Sequence, residues 1–345
     1  MKQLKFIDRD EELKFLKNYF NSVPNALLFV FGPKSSGKST LIMEVIKDMQ
    51  NKDFVFFYYD LRTSGISNYY DFVDFFTKES KSGTAKYDIG LNLYVFKFGV
   101  TKEKKNELKS AKKLNDVFDL FFDEINQVKK DGKTPVIIID ELQMLREIYT
   151  NGGRALLEYL FNFFVTITKV KHLAHVLVST SDSLFIEEIY NNSSLKKTSE
   201  FYLVDMFDEK TTTNWMKEEG FSDKESKKIW DEIGGEPWYL QELLKETSNG
   251  KCVTDIIQDR INESVIFLYS YFLNKRNRKA INILKLFRRS DIISVKEDSD
   301  KIDSNLLTQL VQDEVLFYNP INGIIKPQSR LMLKAIREII KIHKK

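Results

Sequence analysis

The sequence predicts an α/β fold on a parallel five-stranded sheet, followed by a small helical unit and a C-terminal winged-helix-like unit. Three observations predict it. Through the first 205 residues, short apolar runs alternate with segments of helical periodicity. From about Phe207 the spacing is helical throughout. Past Asn274 the order becomes helix, helix, β-ribbon, that of a winged helix-turn-helix. The expected division is 1–206 for the core, with an insertion at about 81–109, then 207–273 and 274–345.

The expected strands are 27–31, 54–60, 135–140, 174–180 and 201–204, each a nearly continuous apolar run suited to burial on both faces. Helices are expected at about 9–22, 38–50, 66–79, 112–130, 152–169 and 183–190. Leu13, Leu16 and Phe20 give the first its apolar stripe, with Asp8 or Asp10 available to cap it. Between Tyr87 and Phe98 the pattern partly alternates, as in a hairpin or edge strand, and the lysine-rich run from Thr101 to Lys113 reads as exposed. Four helices follow at 208–219, 222–233, 237–247 and 253–272, punctuated by Gly220 and by Gly234-Gly235-Glu236-Pro237. The last unit is expected to hold helices at 276–288 and 303–312, strands at 315–318 and 324–326, and a final helix from Gln328.

With 42% hydrophobic and 30% charged residues over 345 positions, the chain is a folded globular protein of two or three domains. One cysteine, Cys252, cannot form an intramolecular disulfide and reads as a small buried hydrophobe in a reducing interior. The N-terminal segment lacks an apolar targeting core, and no stretch approaches the roughly 18 uncharged residues of a membrane span. The expectation is a cytoplasmic protein with no membrane partner. Charge is uneven: residues 251–345 hold 18 Lys and Arg against 11 Asp and Glu, or +7, while the remainder carries 35 against 39, or −4. The run Lys275, Arg276, Arg278, Lys279, Lys285, Arg288 and Arg289 is therefore either a solvated face or a set of phosphate contacts to double-stranded DNA.

The chemistry begins at residues 27–43, LLFVFGPKSSGKSTLIM. Gly32, Gly37, Lys38 and Ser39 occupy the fixed positions of a phosphate-binding loop, G-x-x-x-x-G-K-[ST]. The loop runs Gly32, Pro33, Lys34, Ser35, Ser36, Gly37, Lys38, Ser39, Thr40. Glycines let consecutive backbone N–H groups face an anion, and the helix opening at Lys38 adds its positive dipole end. Lys38 can reach the β- and γ-phosphates, and the Ser39 hydroxyl can take one Mg²⁺ position. A buried strand before the loop and an apolar helix after it supply the context this pattern requires, so the chain binds a nucleoside triphosphate. Asp140 and Glu141, ending an apolar strand about 100 residues later, fit the second half of such a site: Asp140 toward Mg²⁺, Glu141 as general base for a water. Thr180 and Ser181 end the next strand, either sensing the γ-phosphate or beginning the following helix, for which Ser181 or Asp182 would serve as cap. His172 and His175 have no cysteine companions and are read as structural or exposed, not as metal ligands.

Phe6-Ile7-Asp8-Arg9-Asp10-Glu11-Glu12-Leu13, Asp140-Glu141-Leu142-Gln143 and Gly234-Gly235-Glu236-Pro237-Trp238-Tyr239-Leu240 together resemble the archaeal ATPase family. That family belongs to the STAND branch of P-loop NTPases and is related to AAA+ origin-recognition ATPases. The resemblance covers roughly residues 5–245 strongly and the tail loosely, and implies an ASCE/AAA+-like core with ATP or ADP and Mg²⁺ as cofactors. It further implies that Phe6, Ile7 and Arg9 lie against the adenine and that Pro237 closes over base or ribose from the helical lid. Read from the residues alone, Gly234–Pro237 is a helix-to-helix turn with Pro at the first helical position. One departure stands out. Members often carry an arginine shortly before the fifth strand, where this chain has Leu195-Lys196-Lys197-Thr198. Lysine either substitutes or the role is missing, and lysine lacks the forked donors suited to a phosphoryl transition state.

The expected function is an ATP hydrolase whose catalytic groups are Glu141 and Lys38, acting as a nucleotide-driven switch. The alternative is a DNA-binding module, or a scaffold that holds nucleotide and assembles with protein partners or itself. A kinase is disfavoured by the water-activating Glu141 and by the appended lid and winged helix.

Overall fold

A computed structural model describes residues 6–50, 53–79, 115–149 and 155–342, with short stretches at 85–86, 94–95, 98–100, 105–106 and 109. Five parallel strands form the centre: β1 (Leu27–Phe31), β2 (Phe54–Asp60), β3 (Thr134–Asp140), β4 (His175–Thr180) and β5 (Ser199–Leu203), in the order β2-β3-β4-β1-β5. All five expected strands are present. Two-residue strands at Tyr94–Val95 and Ala85–Lys86 extend the sheet beyond β2, the first parallel and the second antiparallel, so part of the insertion is edge strand as expected. Apart from 98–100, 105–106 and 109, the rest of that insertion lies outside the described residues. Lys105 and Lys109, expected as solvated lysines, instead bond Asp74 at 2.8 and 2.5 Å.

Strand alternation divides the core in two. Leu27, Phe29 and Phe31 of β1 pack with Ile137 and Ile139 of β3 on one face, while Leu28 and Val30 pack with Val136 and Ile138 on the other. Every residue of β1 is buried, as a strand covered on both faces requires. The helices are α1 (Asp10–Asn21), α2 (Lys38–Met49), α3 (Tyr69–Phe76), α4 (Asn115–Lys130), α5 (Leu156–Val165) and α6 (Ser183–Asn191). Three expectations need correction. The helix drawn over 66–79 ends at Phe76, and Thr77–Glu79 pairs with Phe98–Val100. Among the described residues of the helix expected over 152–169, Leu156–Val165 is α and a wider π turn follows, while 152–154 lie outside the described residues. Neither Asp8 nor Asp10 caps α1; Asp8 instead accepts a bond from Thr211 Oγ1 at 3.0 Å, tying the N-terminal segment to the next helical unit.

That unit contains α7 (Glu209–Glu218), α8 (Asp223–Glu232), α9 (Pro237–Ser248) and α10 (Val253–Leu273), around Trp215, Met216, Ile229, Leu240 and Leu243. Ser222 and Glu225 close a reciprocal capping box at α8. Cys252, expected inside, is exposed at the start of α10. Downstream, 276–288 is a series of short turns and not one helix. Then come β6 (Ile293–Ser294), α11 (Ser304–Gln312), β7 (Leu316–Asn319), β8 (Ile324–Pro327) and α12 (Arg330–Ile342). The three strands pair antiparallel in the order β6-β8-β7 over a separate core containing Phe287, Leu310, Ile325 and Ile336. Phe317 and Leu331 break that separation: Phe317 packs in the α/β core and Leu331 in the α7–α10 core.

Phe29, fully buried on β1 with Phe201 and Phe161 rings 5.4 and 6.2 Å away, is a sensitive point of this arrangement. Phe29→Ala is expected to lower unfolding free energy by about 3–5 kcal/mol, read from the urea midpoint at unchanged slope.

Candidate functional site

The phosphate loop follows β1 at the C-terminal edge of the sheet, where ligands of open α/β sheets bind. Two glycines are obligatory for geometric reasons. A Cβ on Gly32 would lie 2.1 Å from the carbonyl oxygen of Val204, and Gly37 stands at φ +92° at the head of α2. Ser36 is buried with its Oγ unpartnered among the described residues, while Lys34, Ser35 and Thr40 face solvent. Lys38 is buried, and its Nζ donates to the carbonyls of Gly32 and Pro33 at 3.0 and 2.8 Å, curling the loop around its own lysine.

Strand register assembles the second half. Asp140 on β3 stands abreast of Asp60 on β2 and Ser179 on β4. Ser39 Oγ donates to Asp140 Oδ2 at 2.9 Å across a separation of 101 residues. Tyr58 OH donates to the same oxygen at 3.1 Å, and Arg62 Nη2 at 2.8 Å. Asp140 is 1% exposed and Glu141 5%. Glu141 holds a left-handed backbone at φ +63° with its N–H on the Ser179 carbonyl at 2.8 Å, a costly conformation for a residue with a side chain. Gln143 Nε2 donates to Glu141 Oε2, and Ser181 Oγ donates to Oε1 at 3.1 Å. Thr180 Oγ1 donates to Gln143 Oε1 at 2.9 Å, while Asp182 caps α6 through the Phe185 N–H. Of the two readings of 180–182, the capping role therefore falls to Asp182, leaving Thr180 and Ser181 on the side of the acids.

These residues can hold a divalent cation through Ser39 and Asp140, with phosphate and water oxygens completing the shell. Among the described residues, no group of three His, Cys, Asp or Glu is placed to hold a metal alone. His175 is buried edge-on against Tyr19 and Phe20, and burial lowers its pKa to about 4, so it is neutral. His172 Nδ1 lies 2.6 Å from the Pro24 carbonyl.

Residues 6–243 match the family model described as an ATPase domain predominantly from Archaea. The chain belongs to this archaeal ATPase family. Residues 250–340 match the C-terminal domain of uncharacterized ATP-binding proteins like MJ1010. An uncharacterized ATP-binding protein of Methanocaldococcus jannaschii is 43% identical over 98% of this chain and 95% of its own length. Another, of Pyrococcus abyssi, is 35% identical over 98% of this chain and 99% of its own. Among solved structures, the fold is similar to the Walker-type ATPase Paby2304 of Pyrococcus abyssi, with TM-score 0.63, 17% identity and 96% of each chain covered. It is also similar to the Aeropyrum pernix ORC2 protein in its ADP form, with TM-score 0.51, 11% identity and coverage of 99% and 96%. ATP binding, expected from the loop, is thus a property of the family to which the chain belongs.

For this member of the archaeal ATPase family the structure also places the residues that the resemblance had set against the base. Arg9 is buried: Nη2 donates to the Ser36 and Asp205 carbonyls at 2.8 and 2.7 Å, Nη1 to Glu12 at 2.6 Å, and the guanidinium lies 4.5 Å from the Phe207 ring. It braces the phosphate loop against the start of the helical unit. Phe6 packs on the α2 side of the sheet and Ile7 on the α7–α10 core. Pro237 opens α9 with its Cγ 3.9 Å from where a Cβ on Gly37 would lie, so the lid turn touches the loop. Beside it, Glu236 lines a cleft of about 550 Å³ shared with Lys34, Ser35, Trp238 and Glu314, and burial pushes its pKa up to about 8. Lys196 and Lys197 are at the wrong end. They precede β5, whose first residue stands beside Leu27, roughly 13 Å along the strand from the loop. Neither can substitute for a phosphate-facing arginine; Lys196 Nζ instead sits 4.1 Å from the Tyr190 ring. Sequence reasoning missed Tyr58, Arg62 and the clamping role of Gln143. The signal for Arg62 was its position just past the carboxyl end of a central strand.

Burial lowers the Lys38 pKa to about 8 against the opposing pull of Glu141 and Asp140. The sign follows from which form each state prefers. The ammonium that meets phosphate is present below about pH 8, and because the folded value lies under the ordinary 10.5, stability without nucleotide rises between those two pH values. ATP affinity is expected to fall above pH 8 by up to about tenfold per pH unit, checked by calorimetric titration from pH 7 to 9.5.

Proposed function

We propose that the chain is a Mg²⁺-dependent ATP hydrolase working as a conformational switch, with three domains at 1–206, 207–273 and 274–345. The observation that carries this reading is the 2.9 Å bond from Ser39 to Asp140, with Glu141 buried alongside. Two sequence-distant halves of a phosphoryl-transfer site meet at one sheet edge.

Lys38 and the loop N–H groups orient the triphosphate. Ser39 and Asp140 would hold Mg²⁺, which would neutralise charge developing on the triphosphate. Glu141, aimed by Gln143 and Ser181, accepts a proton from the attacking water as its oxygen bonds the γ-phosphorus and the bond to the ADP oxygen breaks. Hydrolysis then relaxes the Pro237 turn against Gly37. The C-terminal unit, read as a winged helix, is well placed to follow. Lys34 pairs with Glu314 at 2.7 Å, Lys326 with Asp205 at 2.5 Å and Lys334 with Glu232 at 2.6 Å.

Lys38→Ala is expected to abolish binding of a fluorescent ATP analogue. Glu141→Gln is expected to bind ATP normally and lose turnover by about 10²-fold or more; normal phosphate release from that variant would remove the assigned base. A second reading, duplex DNA as partner of the C-terminal unit, is favoured by one observation. Arg278, Lys279, Arg288 and Arg289 are exposed and have no carboxylate partner among the described residues. Replacing Arg288 and Arg289 by Ala is expected to lower the salt slope of duplex binding by about 2, and a gel-shift titration without binding at low salt would discard it.

A further inference from the structure

Asp140 and Glu141 are adjacent, buried and acidic, and one guanidinium reaches both. Arg62 follows β2 by two residues, its N–H on Asp60 Oδ1 at 3.0 Å. Its Nη2 lies 2.8 Å from Asp140 Oδ2 and 3.5 Å from Ser39 Oγ, its Nη1 3.8 Å from Glu141 Oε1, and its Nε 3.5 Å from Asp60 Oδ1. The side chain is 51% exposed, whereas the Asp140 side chain is 1% exposed. This is therefore not an ordinary surface pair. A carboxylate taken out of water needs a compensating charge, and removing the partner of such a group is strongly unfavourable.

The oxygen in question is the one that Ser39 also bonds, so Arg62 stands on the Ser39–Asp140 pair that a divalent cation would use. Guanidinium and dication cannot share it: both are positive, and arginine does not lose its proton in proteins. The two occupancies exclude each other. The half-exposed side chain has room to swing outward. A loaded site would add the terminal phosphate to the anions already within its reach, Asp60 and Glu141, because Ser39 and Glu141 bracket that position. A fork of N–H donors suits a phosphoryl group where a lysine would not. Lys196 and Lys197 precede β5 at the end of the strands away from the loop, so neither supplies this charge.

We propose that Arg62 is an exchangeable counter-ion of the acid pair, which gives up Asp140 to the divalent cation and then stabilises the terminal phosphate. This rests on the ATPase reading. The exchange makes metal entry and arginine delivery one event.

The test compares wild type, Arg62→Ala and Arg62→Lys by three readouts. These are melting temperature with EDTA or Mg²⁺, the Mg²⁺ concentration for half-maximal binding of a non-hydrolysable ATP analogue, and single-turnover phosphate release. Arg62→Ala is expected to melt lower in EDTA, with the loss recovered by Mg²⁺, and to need about tenfold less Mg²⁺ because its competitor is gone. Phosphate release should fall by about 10³-fold or more in Arg62→Ala, and Arg62→Lys should recover the melting temperature but not the rate. An unchanged or higher Mg²⁺ requirement in Arg62→Ala, with normal analogue binding, would overturn the exchange and leave the ATPase reading intact. Wild type that fails to bind the analogue would overturn both. Arg62→Gln, which keeps a donor on Asp140 without the charge, carries the same Mg²⁺ comparison if the alanine variant does not fold.

Discussion

Two neighbouring carboxylates buried at the end of a central strand are the constraint around which the site is built. Asp140 and Glu141 end β3, which has β2 on one side and β4 on the other. A buried acid without partners is too costly to keep, so each flanking element contributes a donor at the same height. From β2 come Tyr58 and the Arg62 turn, from α2 comes Ser39, and from the β4 edge comes Ser181. Parallel pairing makes this possible, because it brings all the strand ends with this chemistry to one edge. The left-handed backbone at Glu141 serves the same arrangement: it turns the second acid away from the first and toward Gln143.

How much of this was legible in the sequence follows from range. The phosphate loop is a local pattern, with glycines forced by backbone approach and a strand and helix on either side, and the residues from Gly32 to Thr40 could be named from order alone. The acid pair was legible because two carboxylates at the carboxyl end of an apolar strand stand where open parallel sheets bind their ligands. Arg62 and Tyr58 were not, because their role depends on β2 lying beside β3, and strand order is not written in spacing. The lysines before β5 were left with two alternatives, substitution or a missing role, and the register favours the second, because a residue preceding a parallel strand lies at the sheet end away from the loop. Arg9 shows a third limit. The resemblance set it against the adenine, whereas among the described residues its hydrogen bonds go to the Ser36 and Asp205 carbonyls and to Glu12, contacts that depend on the fold and not on spacing.

The C-terminal unit is joined to the remainder by two kinds of contact whose strengths differ in a useful way. Phe317 and Leu331 are fully or nearly fully buried in cores belonging to other units, and moving either out would expose a large apolar side chain, a loss of roughly 2–3 kcal/mol each. Lys34 and Glu314 are 60% and 54% exposed, and an exposed ion pair of that kind contributes little. Docking is therefore held by the apolar anchors, while the only charged contact from the phosphate loop to this unit among the described residues is easily broken. Lys34 is the loop residue between Pro33, whose carbonyl holds Lys38, and Ser35 at φ +62°. Rearrangement of the loop around phosphate would shift Lys34 while Phe317 stays seated. A change at the nucleotide would then reach the C-terminal unit as a reorientation about a fixed anchor and not as undocking, which is the behaviour the proposed switch needs.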